Sequence, residues 1–257
     1  KDLAKAKLQS QGSIENHYQN FVRENNHSHL CSICGTALLS QNRANVVDED
    51  QYRSDYDHVL CKDKYPVYSV HPGNFIPTCH ICNSKAKGPK DVLRDNGNQR
   101  RIAFYPLPPS QESCEQFAAV SLHLSDRRDL IENNWETPLE SAFVLFPRAP
   151  VDIVSKIEVW KEVYKVTERV EQHLKTHFCE RIATDLRPVS FDDFCRQLDR
   201  YSRQMPIDYK KSEWRFWWHK VYEFLSSQNE AYLQDVWVLI DWKLRLSNDA
   251  DMADTFD

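Results

Sequence analysis

The sequence predicts an α+β fold, in which a cysteine-rich N-terminal module precedes a mostly α-helical C-terminal region. Cysteine pairs, short apolar runs and four of the five glycines fall between residues 26 and 97. This texture is typical of a compact module of loops and short strands. Beyond Val151 the apolar residues recur at helical spacing instead.

The predicted domains are residues 1–100, 101–247 and 248–257. The first domain opens with a polar helix over residues 1–26, and its expected apolar stripe is Leu8, Ile14, Tyr18, Phe21 and Val22. Within residues 100–150, the segments FAAVSLHL and SAFVLFP alternate as strands do, with polar turns and prolines between them.

The C-terminal region is expected to be helical except for its last ten residues. Ser190 with Asp193 predicts an acidic variant of a capping box at the start of one helix. A tryptophan-rich helix follows over 214–225 and another over 230–245. We expect the tryptophans to be core residues, with a partner-binding groove as the alternative. The end, NDADMADTFD, is acidic and predicts disorder.

Composition excludes some classes of function. No apolar run approaches the ~20 residues that cross a bilayer, so no membrane association is expected. The start of the sequence lacks the apolar core of a signal peptide. Eight cysteines in such a chain indicate a reducing compartment, the cytoplasm. The net charge of −5 argues against a protein that coats nucleic acid unaided, so any basic surface must be local.

Two C-x-x-C pairs predict a structural zinc site. Cys31 and Cys34 form the first pair, and Cys79 and Cys82 form the second. Four thiolates complete the tetrahedral shell of Zn²⁺ and leave no open position, so chemistry must come from other residues. The alternative is two unrelated cysteine pairs. His80 is interpreted as a solvated histidine, and Cys114, Cys179 and Cys195 as small buried residues.

The segment DHVLCKDKYPVYSVHPGNFIPTCHICNSKAK, from Asp57 to Lys87, resembles the HNH family of metal-dependent nucleases. The family pattern is an acidic residue and a histidine on one strand, an asparagine in a loop, and an Asn or His that opens a helix. Asp57, His58, Asn74 and Asn83 fall in that order. The resemblance implies a zinc-stapled ββα-metal module. It is specific over residues 31–90 and weak elsewhere.

The same resemblance implies a role for each residue. His58 would be the general base, since the pKa of histidine lies near the working pH. Asp57 and Asn83 would hold Mg²⁺ or Mn²⁺, and Asn74 would pin the loop that orients His58. Neighbouring strand residues start on opposite faces, so Asp57 and His58 need a bend or shared hydrogen bonds to serve one site. The segment resembles especially the bacterial defence-associated subgroup of this family, which has a proline where this chain has Cys61. The proline stiffens the strand exit, so its loss loosens that exit and removes no proposed ligand.

The implied function is a metal-dependent endonuclease that hydrolyses phosphodiester bonds of nucleic acid, with DNA placed before RNA. The subgroup further implies a prokaryotic defence effector with a protein partner, such as an ATPase subunit; this is an analogy. The alternatives are a degenerate HNH fold, a zinc-stabilised subunit that binds nucleic acid without cutting it, and an assembly module of a larger complex.

A basic stretch follows the motif. As nucleic-acid contacts we expect Lys85, Lys87, Lys90, Arg94, Arg100 and Arg101. The alternative is an ordinary solvated face. A further hypothesis is that the acidic tail, residues 248–257, competes with phosphate for this stretch; the alternative is a tail without a role.

Overall fold

The structure of the protein, a computed structural model, describes residues 14–25, 28–40, 46, 50, 54–107, 113–126, 130, 138–203 and 212–253, with backbone alone for 246–253. The chain forms two compact units. Unit 1 consists of Lys1–Phe117, Arg148–Val166 and Ile207–Phe216; unit 2 consists of Ala118–Pro147, Thr167–Pro206 and Trp217–Asp257. Both units are discontinuous in sequence, whereas the predicted domains were contiguous.

Unit 1 contains the cysteine-rich segment and a helix from much later in the chain. Its elements in chain order are α1 (Ile14–Glu24), β1 (Tyr56–His58), β2 (Phe75–Pro77), α2 (Ile81–Lys87) and α3 (Val151–Tyr164). Helix α1 buries Tyr18, Phe21 and Val22, as its apolar stripe predicted. Leu8 and the predicted helical residues 1–13 lie outside the described residues.

Strands β1 and β2 form an antiparallel pair, in which Asp57 lies opposite Ile76 and His58 opposite Phe75. The loop between them contains two 3₁₀ turns, Pro66–Tyr68 and Pro72–Asn74, each of which begins with proline. Proline suits a first helical position because its fixed φ is already helical and it has no N–H to satisfy. The loop therefore turns sharply enough to bring the two short strands together.

Helix α2 directly follows the second cysteine pair and has an unusually wide turn. The amide of Gly88 donates to the carbonyl oxygen of Asn83 over 2.8 Å, five residues back, as in a π-helix. Gly88 has φ of +50°, a conformation that glycine adopts without the steric cost of a side chain. The helix consequently ends at Lys87.

Unit 2 contains an antiparallel strand pair, β3 (Ala119–Leu124) and β4 (Leu139–Leu145). Val120 and Leu122 on β3 and Ala142 and Val144 on β4 are buried, so one face of the pair packs on the core. The strands predicted from FAAVSLHL and SAFVLFP are confirmed.

The remaining helices lie wholly or mostly in unit 2: α4 (Val166–Leu186), α5 (Phe191–Arg203), α6 (Arg215–Ser226) and α7 (Glu230–Ala253). A stripe at four-residue spacing on α4 is fully buried and consists of Val170, Leu174, Phe178 and Ile182. Trp217 and Trp218 of α6 are buried, which confirms them as core residues. The predicted cap of α5 is also present, since Asp193 N donates to Ser190 Oγ over 3.2 Å.

Helix α7 continues through Ala253, so residues 248–253 of the predicted acidic tail are helical. Residues 254–257 lie outside the described residues. Among the helices that the structure describes, none combines the length and the hydropathy required to cross a membrane.

Candidate metal centre and active-site residues

The four cysteines of the two C-x-x-C pairs meet in the interior of unit 1. The Sγ atoms of Cys31, Cys34, Cys79 and Cys82 all lie within 4.8 Å of one another, and all four residues are buried. All eight cysteines of the chain are free thiols. A tetrahedral zinc ion with Zn–S bonds of about 2.3 Å requires sulfurs about 3.8 Å apart. The 3.9 Å between Cys34 Sγ and Cys79 Sγ fits that geometry, so the cluster can hold a structural metal.

The first cysteine pair is shaped by a tight turn. The amides of Cys34 and Gly35 both donate to the carbonyl oxygen of Cys31, over 3.3 and 2.9 Å. Gly35 has φ of +66°, where a side chain would be strained. Thr36 donates to Cys34 Sγ from its amide and its hydroxyl, over 3.4 and 3.2 Å. The pKa of Cys34 is held well below its ordinary value, which favours the thiolate. The main cause is a hydrogen bond from Cys31, and hydrogen bonds from the other thiols and from Thr36 add to it.

Residues distant in sequence secure the same turn. Trp160 Nε1 on α3 donates to the carbonyl oxygen of Ile33 over 2.8 Å, and the amide of Trp214 donates to the carbonyl oxygen of Gly35 over 3.1 Å. Both acceptors are main-chain atoms of the first cysteine pair and its turn. Sequence reasoning missed these contacts, because a tryptophan on an apolar helix face gives no signal of a hydrogen-bond partner far away in the chain.

His58, the predicted general base, is half-buried at the end of β1. Its Nε2 lies 3.1 Å from the carbonyl oxygen of Ser69. A carbonyl only accepts hydrogen bonds, so Nε2 carries the proton and Nδ1 of the neutral ring carries the lone pair. The ring lies 4.7 Å, between centroids, from that of its cross-strand neighbour Phe75. Burial lowers the pKa of His58. The hydrogen bond to the Ser69 carbonyl raises this pKa, whereas the charges of Lys62 and Lys87 lower it further.

Asn74 is buried and connects the two ends of the β1–β2 loop. Its Oδ1 accepts from the amide of Leu60 over 2.6 Å. Its Nδ2 donates to the carbonyl oxygens of Leu60 and Tyr68, over 3.0 and 3.1 Å. Tyr68 directly precedes Ser69, the partner of His58, so this amide holds the segment against which the imidazole rests.

Asp57 faces the interior and forms an ion pair with a residue of the predicted basic stretch. Lys87 Nζ lies 2.9 Å from Asp57 Oδ1 and also donates to the carbonyl oxygen of His58 over 2.7 Å. Asp57 Oδ2 is buried and has no hydrogen-bond partner among the described residues. Burial raises the pKa of Asp57, and Lys87 opposes this rise.

The structure does not join all four predicted catalytic residues through direct contacts. His58 and Asn74 are linked through the Tyr68–Ser69 segment, whereas Asp57 bonds to Lys87. Asn83 is half-buried in the first turn of α2, and its main-chain amide donates to the carbonyl oxygen of Cys79 over 3.0 Å. Asn83 and Lys87 are four residues apart on this short helix, so they lie near one face of it.

The predicted nucleic-acid contacts divide into two groups. Lys85, Lys90 and Arg100 are exposed. Lys87 is buried in the ion pair with Asp57, which differs from the surface position expected of a phosphate contact. Arg101 pairs with Glu162 over 2.6 Å and donates to the carbonyl oxygen of Asp91. Arg94 donates to the carbonyl oxygen of Asn98 over 3.0 Å.

The other singled-out residues lie outside the contacts described so far. His80 is exposed, with its Nδ1 3.9 Å from Asp55 Oδ2. Cys61 and Cys114 are buried outside the four-cysteine cluster, and Cys179 and Cys195 are half-buried. Tyr164 of α3 falls at the helical spacing of the apolar residues, but its nearness to Asp57 was not predicted. Burial raises the pKa of Tyr164 far above its ordinary value, and the nearby carboxylate of Asp57 adds to the rise.

No protein-family model, curated protein or solved structure matches the chain.

Proposed function

We propose that the protein is a metal-dependent endonuclease of the HNH type, which hydrolyses phosphodiester bonds of nucleic acid, with DNA the first substrate to test. The observation that carries the proposal is the state of His58. Its Nε2–H donates to the carbonyl oxygen of Ser69, and burial lowers its pKa, which favours the neutral ring. A neutral imidazole with a free lone pair on Nδ1 is the form that a general base requires.

The surrounding architecture supports this role. Strands β1 and β2 and helix α2 follow one another in the order that the HNH resemblance implies. The side-chain amide of Asn74 donates to the carbonyl oxygen of Tyr68, the residue before Ser69, and so helps to fix the Ser69 carbonyl. The Phe75 ring packs beside the imidazole ring of His58. The His58 ring is therefore held from two sides, as a positioned base must be.

The acidic residue meets one requirement of a divalent cation site. Mg²⁺ and Mn²⁺ prefer hard oxygen ligands. Asp57 Oδ2 is a buried oxygen without a hydrogen-bond partner among the described residues. Asn83, in the first turn of α2, is the second ligand that the resemblance implies. When bound, the cation would neutralise charge on the phosphate and on the departing 3′ oxygen.

In this reaction Nδ1 of His58 takes a proton from water as the water oxygen bonds to phosphorus. The bond between phosphorus and the 3′ oxygen breaks, and the 3′ oxygen leaves with its electron pair and takes a proton from solvent. Asp57 and Asn83 would hold the cation, and Asn74 keeps the loop in place. The four cysteines would hold zinc at the start of α2, where it would take no part in the chemistry, because four thiolates leave it no open position. A protein partner such as an ATPase subunit and a role in defence stay predictions from the resemblance. The cytoplasmic location stays a prediction from the cysteine content.

A second candidate function rests on the Asp57–Lys87 pair. An ammonium at 2.9 Å already neutralises the carboxylate. In a protein that only binds nucleic acid, such a pair would tie α2 to β1 and the exposed lysines would contact phosphate. This is the zinc-stabilised binding subunit, without cleavage.

Cleavage by the His58→Ala variant separates the two functions. Purified zinc-loaded protein is incubated with supercoiled plasmid in Mg²⁺ or Mn²⁺, and nicking is followed on gels. Loss of a positioned general base lowers the rate by about 10²–10⁴-fold. His80→Ala, which changes an exposed histidine two residues before Cys82, is the matched control and should cut like the parent.

Equal rates for His58→Ala and the parent would contradict the assigned role. Binding of plasmid without any divalent-dependent cleavage by the parent would favour the binding subunit instead.

A further inference from the structure

Lys87 is the most unusual charged residue of unit 1. It is 2% exposed, although it belongs to a helix that also presents the exposed Lys85. A buried lysine is rare unless its ammonium is paired. Here Nζ donates to Asp57 Oδ1 over 2.9 Å and to the carbonyl oxygen of His58 over 2.7 Å. A single side chain of α2 is thus fastened to both proposed active-site residues of β1.

The Asp57 carboxylate is buried and needs a positive partner. Its side chain is 5% exposed, and a buried charge without a partner is strongly destabilising. Lys87 supplies this partner at Oδ1, while Oδ2 has none among the described residues. A divalent cation at the same carboxylate would lie close to the ammonium, and the two positive charges would repel each other strongly in this poorly solvated place.

We propose that Lys87 is the resident counter-ion of Asp57 and that a divalent cation binds at this carboxylate only as the Lys87 ammonium leaves Oδ1. This inference rests on the proposed function, since it concerns the same metal site. When the ammonium leaves Oδ1, it keeps its second hydrogen bond, from Nζ to the carbonyl oxygen of His58. Lys87 is a positioning residue that sets the metal requirement of the site and keeps the carboxylate stable without metal.

Two consequences follow from competition for one carboxylate. The apparent affinity for the cation is reduced by the fraction of molecules in which Lys87 occupies Oδ1. Removing the ammonium should therefore tighten cation binding and, without cation, leave Asp57 buried and unpaired. The folded state should then gain stability as the cation is added, because a ligand that binds only the folded state stabilises it.

The test measures Mn²⁺ binding to the full zinc-loaded chain by titration calorimetry and by the EPR signal of free Mn²⁺. Buffers are freed of metal on a resin, because a soluble chelator would also extract zinc. Lys87→Met should bind Mn²⁺ at least about tenfold more tightly than the parent, if the competent fraction of the parent is about a tenth or less. Its melting temperature should lie below that of the parent without Mn²⁺ and should rise with Mn²⁺.

Two variants serve as controls. Lys85→Met removes an exposed lysine of the same helix and should leave both the Mn²⁺ affinity and the melting temperature unchanged. Asp57→Asn/Lys87→Met removes both partners, and its melting temperature should not respond to Mn²⁺. If Lys87→Met does not fold, Lys87→Gln retains a hydrogen-bond donor without the charge and should show the same gain in Mn²⁺ affinity.

Unchanged Mn²⁺ affinity in both Lys87 variants overturns the inference, even if the parent cleaves plasmid. Tighter Mn²⁺ binding that depends on Asp57 supports it, even if no form of the protein cleaves nucleic acid. Mn²⁺ binding without cleavage would overturn the proposed nuclease function and retain the metal site at Asp57.

Discussion

A single buried amide, that of Asn74, satisfies three main-chain groups of the β1–β2 loop. It accepts from the amide of Leu60 and donates to the carbonyl oxygens of Leu60 and Tyr68. Such a loop has little apolar surface to hold it, since Val67 is 83% exposed and Tyr68 is 50% exposed. Hydrogen bonds, those of Asn74 together with those within the 3₁₀ turn, therefore hold the segment that contacts His58.

Asn74→Ala should lower the free energy of unfolding by about 2–3 kcal/mol, because it leaves buried main-chain groups without partners. It should also lower any nuclease activity, because the Ser69 carbonyl is no longer held. Asn74→Asp keeps an acceptor for Leu60 but places a carboxylate oxygen against two carbonyls, so it should not rescue stability. Urea unfolding followed by tryptophan fluorescence measures both variants, and parent-like stability of Asn74→Asp would contradict this account of the loop.

His173 of α4 makes unit 2 sensitive to acid. Burial lowers its pKa to about 4, and His177 and Arg181 act in the same direction. Between pH 6.5 and pH 4, the unfolded chain binds a proton here that the folded chain does not. The free energy of unfolding therefore falls as the pH is lowered through this window, and is independent of His173 above it.

His173→Gln should reduce this dependence, so the parent should lose more stability than the variant between pH 7 and pH 4.5. Urea unfolding followed by circular dichroism at 222 nm gives the comparison, and His80→Gln in unit 1 is the control. Identical pH dependence in His173→Gln and the parent would show that the position does not titrate as described.

At the level of elements, α2 receives its position from both of its ends. Cys79 and Cys82 fasten its start to the first cysteine pair, and the amide of Cys79 lies 3.5 Å from Cys31 Sγ. Lys87, its last residue, is tied to Asp57 and His58 on β1. A seven-residue helix is too short to be stable by itself, so its orientation depends on these two attachments.

Zinc should accordingly be present at about one ion per chain, as expected for one closed four-thiolate site. Cys82→Ser should reduce the zinc content well below that value and destabilise unit 1, because structural zinc contributes directly to folding. Cys61→Ser is a matched control, since Cys61 is also buried but stands outside the cluster. Elemental analysis decides between them, and equal zinc loss in both variants would contradict the assignment.

For the whole molecule, the balance of charge limits how nucleic acid can be bound. The net charge is −5, and only Lys85, Lys90 and Arg100 of the predicted basic stretch are exposed. Long-range attraction to DNA should therefore be weak, and the proposed binding would have to come from a few local contacts.

The salt dependence of DNA binding should be correspondingly shallow. Three phosphate contacts predict a slope of log K against log salt of about −3. The triple variant Lys85→Ala/Lys90→Ala/Arg100→Ala should reduce the slope toward zero and weaken binding at low salt. Removing three exposed charges of α5, in Arg196→Ala/Arg200→Ala/Arg203→Ala, should leave the slope unchanged. Fluorescence anisotropy at several salt concentrations measures the slope. An unaltered slope in the variant of Lys85, Lys90 and Arg100 would exclude these residues as phosphate contacts.

The sequence by itself determined the four-cysteine cluster, the strand pair of unit 2 and the long helices. Each depends on a local pattern: C-x-x-C spacing, alternation of apolar residues, or helical periodicity. Only the tertiary structure decided which lysine of the basic stretch is buried. Lys85 and Lys87 are alike in sequence, and both stand beside small or polar neighbours. The wide turn of α2 and its attachment beside β1 expose Lys85 and direct Lys87 to the carboxylate of Asp57. That pairing joins residues from different elements, and no local pattern encodes it.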